Sequence, residues 1–120
     1  MVAGYDNDGF PLDVVWLDIP YMDKFADFSV DTKAFPNLKE FIADLHDNSR
    51  YIVPILDAGI SADKNSKYYT EASNKKALIK SSIYPDNGYN GDLISKVWPD
   101  RVAFMDWFTE DAYTVWSGGL

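Results

Sequence analysis

The stretch Val14-Val15-Trp16-Leu17-Asp18 decides how this chain is interpreted, because four apolar residues lead directly into a carboxylate. Residues 14–17 show no alternation of polar and apolar side chains, which predicts a strand covered on both faces, as in a parallel α/β sheet. Asp18 then lies at the carboxyl end of that strand. Because active sites of parallel α/β folds form at this end of the strands, Asp18 is a candidate functional residue.

A helical pattern and a second strand follow. Four apolar residues recur at the spacing of one helical face: Leu38, Phe41, Ile42 and Leu45. Pro36 suits the first turn of this helix, and Asn48 suits a left-handed cap after it. Residues 51–56 predict a second strand, although Pro54 cannot donate to a sheet ladder. A strand, a helix and a parallel strand of this size predict a right-handed βαβ unit.

The rest of the chain divides into a turn, a polar stretch and a final helix. Residues 4–9 are rich in Gly, Asn and Asp, which predicts a turn. Residues 61–93 are mostly polar, with Ala77-Leu78-Ile79 as the apolar run, so we expect a surface insertion with a short strand pair. Residues 109–116 predict a helix that begins at Thr109.

Three segments resemble the catalytic barrel of family 31 glycoside hydrolases, which are mostly retaining α-glucosidases. The first segment is residues 11–23, together with Asp27-Phe28-Ser29-Val30-Asp31 and Phe35-Pro36. The second is Ile55-Leu56-Asp57-Ala58-Gly59-Ile60-Ser61. The third is Lys96-Val97-Trp98-Pro99, together with Phe104-Met105-Asp106-Trp107. The resemblance implies an α/β fold: a partial TIM (β/α)8 barrel over residues 1–120, with an insertion at about 61–93. A whole barrel takes roughly 250 residues, so 120 residues predict only its first strands and helices.

The resemblance also bears on the catalytic residues. Retaining glycoside hydrolysis uses one carboxyl group as nucleophile and another as acid/base. In the family the nucleophile is the aspartate of a Trp-x-Asp-Met-Asn-Glu motif on a later strand, and the acid/base aspartate is later still. That motif does not occur in this sequence. The resemblance therefore implies that the chain holds no catalytic residue and is inactive by itself.

Asp18 matches the family aspartate that hydrogen-bonds hydroxyl groups of the sugar in the first subsite. Charge-assisted hydrogen bonds of this kind contribute roughly 1.5–3 kcal/mol each. A structural role is the alternative, in which the Asp18 carboxylate caps a loop or pairs with Arg50 or Arg101.

Three apolar positions match other parts of that pocket. Ile19 and Ile55 match residues that line the first subsite, and Trp98 matches the tryptophan of the pocket wall, where a flat indole contacts a pyranose ring. For each of them, plain packing in the core is the alternative. By the same analogy the tyrosines of the insertion contact further sugars, or else cover the insertion's own small core: Tyr68, Tyr69, Tyr84 and Tyr89.

Other polar residues favour structural roles. By their family counterparts, Asp57 and Asp106 shape loops after strands, and Asp13 precedes its strand at the opposite end. His46 is the single histidine and has no triad partners. No compact cluster of metal ligands appears among the scattered acidic residues, so we expect neither a metal site nor a cofactor.

Composition limits which classes of molecule this chain is expected to bind. The net charge of −8 argues against nucleic acid, and no apolar run reaches the length of a membrane span. The expected partners are an α-glucoside or oligosaccharide substrate and the remainder of the barrel in a full-length protein. The alternative function is a non-catalytic remnant, or a weak carbohydrate-binding module that self-associates to cover open sheet edges.

Overall fold

The computed structural model describes residues 1–85 and 88–120. The chain divides into two compact units. Unit 1 comprises Met1–Asp23 and Val30–Ile55, and unit 2 comprises Lys24–Ser29 and Leu56–Leu120. Each unit therefore consists of two separate parts of the sequence.

Unit 1 is a βαβ arrangement preceded by a short helix. Its elements in chain order are α1 (Val2–Asp8), β1 (Val14–Leu17), a 3₁₀ turn (Ile19–Tyr21), α2 (Leu38–Asp47) and β2 (Tyr51–Pro54). β1 and β2 are parallel, with Val14 opposite Tyr51 and Leu17 opposite Pro54. α2 packs against β2 and buries Leu45 completely. The predicted parallel strands and crossover helix are thus present, and Pro54 is the last residue of its strand.

Three local expectations for unit 1 were wrong. Residues 4–9 do not form a turn, because α1 runs through Asp8 and ends at Gly9, whose φ of 71° is a left-handed conformation favoured by glycine. Asn48 has a φ of −96° and Ser49 instead takes the left-handed conformation after α2. β1 is not covered on both faces, since Val15 is buried while Trp16 is 65% exposed.

Unit 2 is built on an antiparallel sheet with two helices. Its elements are β3 (Gly59–Ser61), α3 (Lys67–Asn74), β4 (Ile94–Val97), β5 (Asp100–Phe104) and α4 (Glu110–Ser117). The strand order is β3-β5-β4, with β5 antiparallel to both neighbours. Thr109 caps α4 by accepting a hydrogen bond from the Ala112 N–H at 3.3 Å, so the predicted final helix is confirmed.

The core of unit 2 draws on the polar stretch 61–93, two of whose residues, 86 and 87, lie outside the described part. α3, which the polar composition did not predict, begins at Lys67 after the cap Ser66. One cluster of buried residues joins α3, the sheet and α4: Ile60, Ala62, Tyr69, Ala72, Ala77, Leu78, Ala103, Met105, Ala112 and Val115. The stretch therefore supplies core as well as surface.

The partial barrel expected from the sequence appears only in part. In residues 1–85 and 88–120 the parallel pairing is confined to β1 and β2, and no closed barrel is formed. The third segment of the resemblance forms an antiparallel hairpin, because Lys96 pairs with Arg101 across a tight turn at Trp98. A short connection of this kind forces antiparallel pairing, whereas parallel strands need a long crossover.

Candidate functional site

Asp18 and Ile55 lie side by side at the carboxyl edge of the β1–β2 pair. Leu17 and Pro54 are opposite each other in the last register position, and the Ile55 N–H donates to the Leu17 carbonyl at 3.0 Å. The next residue on each strand therefore emerges at the same edge. Asp18 is exposed there, Ile55 is half-buried and Ile19 is buried. Three of the four predicted site residues are thus brought together in unit 1.

Tyr21 ties the two loops at this edge together. Its hydroxyl donates to the Ile55 carbonyl at 2.9 Å, and its own carbonyl accepts from the Asp31 N–H at 2.8 Å. The side chain is 7% exposed. Tyr21 was not among the residues predicted from the sequence, although its place just after the strand-end aspartate is a signal for it. Tyr21 fixes where Ile55 lies.

One oxygen of Asp18 has a structural role. Oδ1 accepts the Ile19 N–H at 2.8 Å and caps the Ile19–Tyr21 turn. Of the ion pairs considered as alternatives, the one with Arg50 does not form, because Arg50 pairs with Asp6 in the same unit. Within unit 1, the Ile19 N–H is the hydrogen-bond donor to this carboxylate, and Asp18 as a residue is exposed. The cap holds the carboxylate in a fixed orientation.

Trp98 belongs to unit 2, in the turn between β4 and β5. Its side chain is 68% exposed. The ring of Phe25 meets it edge-on, with 6.4 Å between ring centroids and 63° between planes. A core role for Trp98, the alternative considered above, does not fit this exposure.

Asp27 is a buried carboxylate that the sequence analysis did not single out. It is 7% exposed, and its Oδ1 accepts the Asp57 N–H at 2.8 Å, while Oδ2 has no hydrogen-bond partner. Burial raises the pKa of Asp27 to about 6, against the smaller lowering effect of the Asp57 hydrogen bond. Asp57 also accepts from the Ala58 N–H at 2.8 Å, which shapes the loop after β2.

The tyrosines of the insertion differ in their surroundings. Tyr69 is buried, and its hydroxyl donates to Asp92 at 3.1 Å; desolvation and this carboxylate raise the pKa of Tyr69 to about 12. Asp92 is fully buried, accepts from Ser73 at 2.7 Å and pairs with Lys80. Tyr69 therefore belongs to the core. Tyr84, in contrast, is 69% exposed.

Two other kinds of site are absent from residues 1–85 and 88–120. Within these ranges, no three His, Asp or Glu side chains are grouped closely enough to hold a metal ion. Within the same ranges, no helix has the length and hydropathy needed to cross a bilayer.

Comparison with known proteins identifies relatives of the whole chain. α-Glucosidase 2 of Bacillus thermoamyloliquefaciens is 39% identical over 108 residues, which cover 90% of this chain and 13% of that protein. The α-glucosidase of Hordeum vulgare is 34% identical over 119 residues, 98% of this chain and 13% of that protein. The chain therefore spans about one-eighth of the length of these curated relatives.

Solved structures agree with the sequence comparison. Glucosidase II α subunit in its α3-Glc2-bound form superposes with a TM-score of 0.86 at 26% identity, over 97% of this chain and 12% of that one. The family 31 α-glucosidase of Bacteroides thetaiotaomicron superposes with a TM-score of 0.76 at 27% identity, over 95% and 18%. The model of the family 31 glycosyl hydrolase TIM-barrel domain matches residues 1–120. The chain therefore belongs to the TIM-barrel domain of glycosyl hydrolase family 31.

Proposed function

We propose that this chain supplies part of the sugar-binding side of the barrel in a retaining α-glucosidase-type hydrolase, which hydrolyses O-glycosidic bonds of α-glucosides or oligosaccharides. The relatives support this at the level of the family, since they are named α-glucosidases. The observation that carries the proposal is the position of Asp18 beside Ile55 at the carboxyl edge of β1 and β2. Barrels of this kind bind their substrates at that edge.

Each proposed residue has a distinct role toward the sugar. Asp18 keeps Oδ1 on the Ile19 N–H and uses Oδ2 to accept hydrogen bonds from sugar hydroxyl groups. Ile55 offers an apolar contact, while Ile19, which is 8% exposed, mainly supports that wall. Trp98 contacts the face of a pyranose ring, as large exposed indoles do in carbohydrate sites.

We further propose that the 120-residue chain has no hydrolase activity of its own. The family nucleophile motif Trp-x-Asp-Met-Asn-Glu does not occur in the sequence. The nucleophile and the acid/base aspartate of the working enzyme then come from the remainder of the barrel. The chain itself binds and orients the sugar.

Binding is tested by titrating the ¹⁵N-labelled chain with methyl α-D-glucopyranoside and following amide shifts. Loss of one charge-assisted hydrogen bond in Asp18→Ala should weaken binding by about tenfold or more. Asp13→Ala is the matched control, because Asp13 is an exposed aspartate just before β1 rather than after it. Equal binding by wild type and Asp18→Ala would reject the role of Asp18.

Catalysis is tested separately with a nitrophenyl α-glucoside. We expect no turnover above the uncatalysed rate. Turnover that Asp18→Ala abolishes would show that the chain carries its own catalytic groups, and the proposed division of labour would be wrong.

A second candidate function is that of a non-catalytic remnant or weak carbohydrate-binding module that self-associates. The exposed apolar face of the β1–β2 pair favours it, since Trp16 is 65% and Tyr51 65% exposed. Sedimentation velocity distinguishes the two candidates. A dimer of the wild-type chain that Trp16→Ser dissociates would support self-association, and a monomer at the same concentration would exclude it.

A further inference from the structure

The segment Lys24–Ser29 has a strained backbone. Lys24, Phe25 and Phe28 have φ values of 51°, 60° and 61°, in the left-handed region that residues with a Cβ seldom adopt. Such conformations persist only where the surrounding structure holds them, and they concentrate at ligand sites. Three left-handed residues in one short segment indicate that neighbouring residues hold the segment in place.

Two anchors within unit 2 hold the segment. Asp27 is buried and accepts the Asp57 N–H at 2.8 Å, which fixes the middle of the segment to the loop after β2. Phe28 packs its ring against Tyr68, at 4.8 Å between centroids, and against Trp116, at 4.9 Å. The Ser29 hydroxyl also donates to the Ala26 carbonyl at 2.5 Å. The three residues that follow Ala26 are therefore tied down, and they hold the segment from its C-terminal side.

The segment presents Phe25 to Trp98. The two rings meet edge to face at 6.4 Å, within the range in which aromatic pairs attract. Phe25 is 40% exposed and Trp98 68% exposed, so neither ring is fixed by burial. Among the described aromatic residues, no other ring lies within stacking distance of Trp98. Phe25 is therefore the ring that can orient Trp98.

We propose that Lys24–Ser29 is a positioning loop for Trp98, in which Phe25 orients the indole and Asp27 anchors the loop. The inference rests on the proposed function, in which Trp98 contacts a pyranose ring. An indole that rotates freely must be ordered when the sugar binds, and this ordering weakens binding. A ring already held by Phe25 avoids most of that cost. Phe25 is therefore a positioning residue that does not itself contact the sugar.

The orientation of Trp98 is tested without any sugar, by the indole Nε1–H signals of the four tryptophans. Phe25→Ala should move the Trp98 signal toward its position in an unfolded chain. The signals of Trp107 and Trp116, which pack against each other at 5.2 Å, should stay in place. Phe25→Tyr should restore the Trp98 signal, because it keeps the ring. An unchanged Trp98 signal in Phe25→Ala would overturn the proposal.

The anchor is tested with two substitutions of Asp27. Asp27→Ala removes the acceptor of the Asp57 N–H, whereas Asp27→Asn keeps an oxygen in the same place. We expect Asp27→Ala to move the Trp98 signal and Asp27→Asn to leave it near its wild-type position. Equal spectra for the two variants would reject Asp27 as the anchor. Should Asp27→Ala unfold, the signals of Trp107 and Trp116 will collapse too, and the Phe25 variants decide the role of the loop.

The sugar step is tested by titration with methyl α-D-glucopyranoside. Phe25→Ala should weaken binding about threefold to tenfold, the range expected for one aromatic pair. Phe108→Ala is the control, because Phe108 is fully exposed and outside the loop. Unchanged affinity in Phe25→Ala would overturn the sugar role of the loop. Absence of binding by the wild-type chain would overturn the proposed function, while the indole signals still decide whether Phe25 positions Trp98.

Discussion

The two units of the chain bury their apolar side chains in different ways. In unit 1 the β1–β2 pair buries Val15 on one face, while the opposite face leaves Val14 45% and Trp16 65% exposed. In unit 2 the sheet lies in one cluster with α3 and α4, and Leu78, Val102 and Met105 are at most 2% exposed. A barrel covers the inner face of each strand with side chains from other strands. An apolar strand sequence thus predicts that its faces are buried. Whether a given face is buried depends on which other elements pack against it.

The two units also differ in how deeply their charged groups are buried. In unit 1, Arg50 and Asp6 form an ion pair at the surface. In unit 2 the carboxylate of Asp92 is fully buried and is satisfied by Lys80, Ser73 and Tyr69. Buried polar groups are costly unless paired, so such a network specifies one arrangement of the elements around it. Unit 2 should therefore be the more sharply defined of the two.

The largest expected difference between the units is in their response to truncation of apolar side chains. Leu78→Ala should lower the free energy of unfolding by about 2–5 kcal/mol, because it opens a cavity in the core of unit 2. Val53, on β2, is 42% exposed, so Val53→Ala should lower the free energy of unfolding by less than about 1 kcal/mol. Urea denaturation followed by circular dichroism measures both. Similar losses would mean that the exposed face of unit 1 is buried in solution.

A smaller effect is expected from the buried carboxyl group of Asp27. Its pKa is raised from 3.8 to about 6, so the folded chain binds more protons than the unfolded chain between these values. The contribution of Asp27 to the free energy of unfolding is therefore fully present below pH 4, where the carboxyl group is protonated, and is lost as the pH rises through 6. Asp27→Asn should remove this slope and stabilise the chain at pH 7 by about 1–2 kcal/mol.

The control for this prediction is Asp63→Asn. Asp63 is exposed, and its Oδ1 accepts the Asn65 N–H at 2.9 Å, so the change also removes one charge and keeps the acceptor. Thermal unfolding between pH 4 and pH 7 compares the variants. If Asp63→Asn flattens the pH profile as much as Asp27→Asn does, relief of the net charge of −8 is the cause rather than burial.

The smallest expected effect concerns the surface ion pair of unit 1. The hydrogen bond from Arg50 lowers the pKa of Asp6, so stability from this pair is present at neutral pH and is lost as the pH falls through the lowered pKa. Asp6→Asn should therefore be slightly less stable than wild type at pH 7 and indistinguishable from it in strong acid or high salt. A difference that persists in molar salt would point to a role beyond the ion pair.

Patterns with strong local causes were predicted well. β1 occupies the expected residues, α2 carries the expected apolar face, and α4 begins after its cap Thr109. The edge position of Asp18 followed from the end of an apolar run. Patterns that depend on distant partners were missed. α3 lies in a polar stretch, and its buried side chains, such as Tyr69 and Ala72, face a core contributed by residues far along the chain.

The sequence by itself determined the family, the parallel β1–β2 pair and the carboxylate at its edge, because these depend on short runs of residues with strong preferences. Only the tertiary structure decided that Tyr21 joins the loops after β1 and β2 and that Asp27 is buried against Asp57. It also decided that Phe25 meets Trp98. These contacts join residues far apart in the sequence, and backbone and side-chain geometry in three dimensions brings them within reach. The spacing of residues along the chain does not predict these contacts.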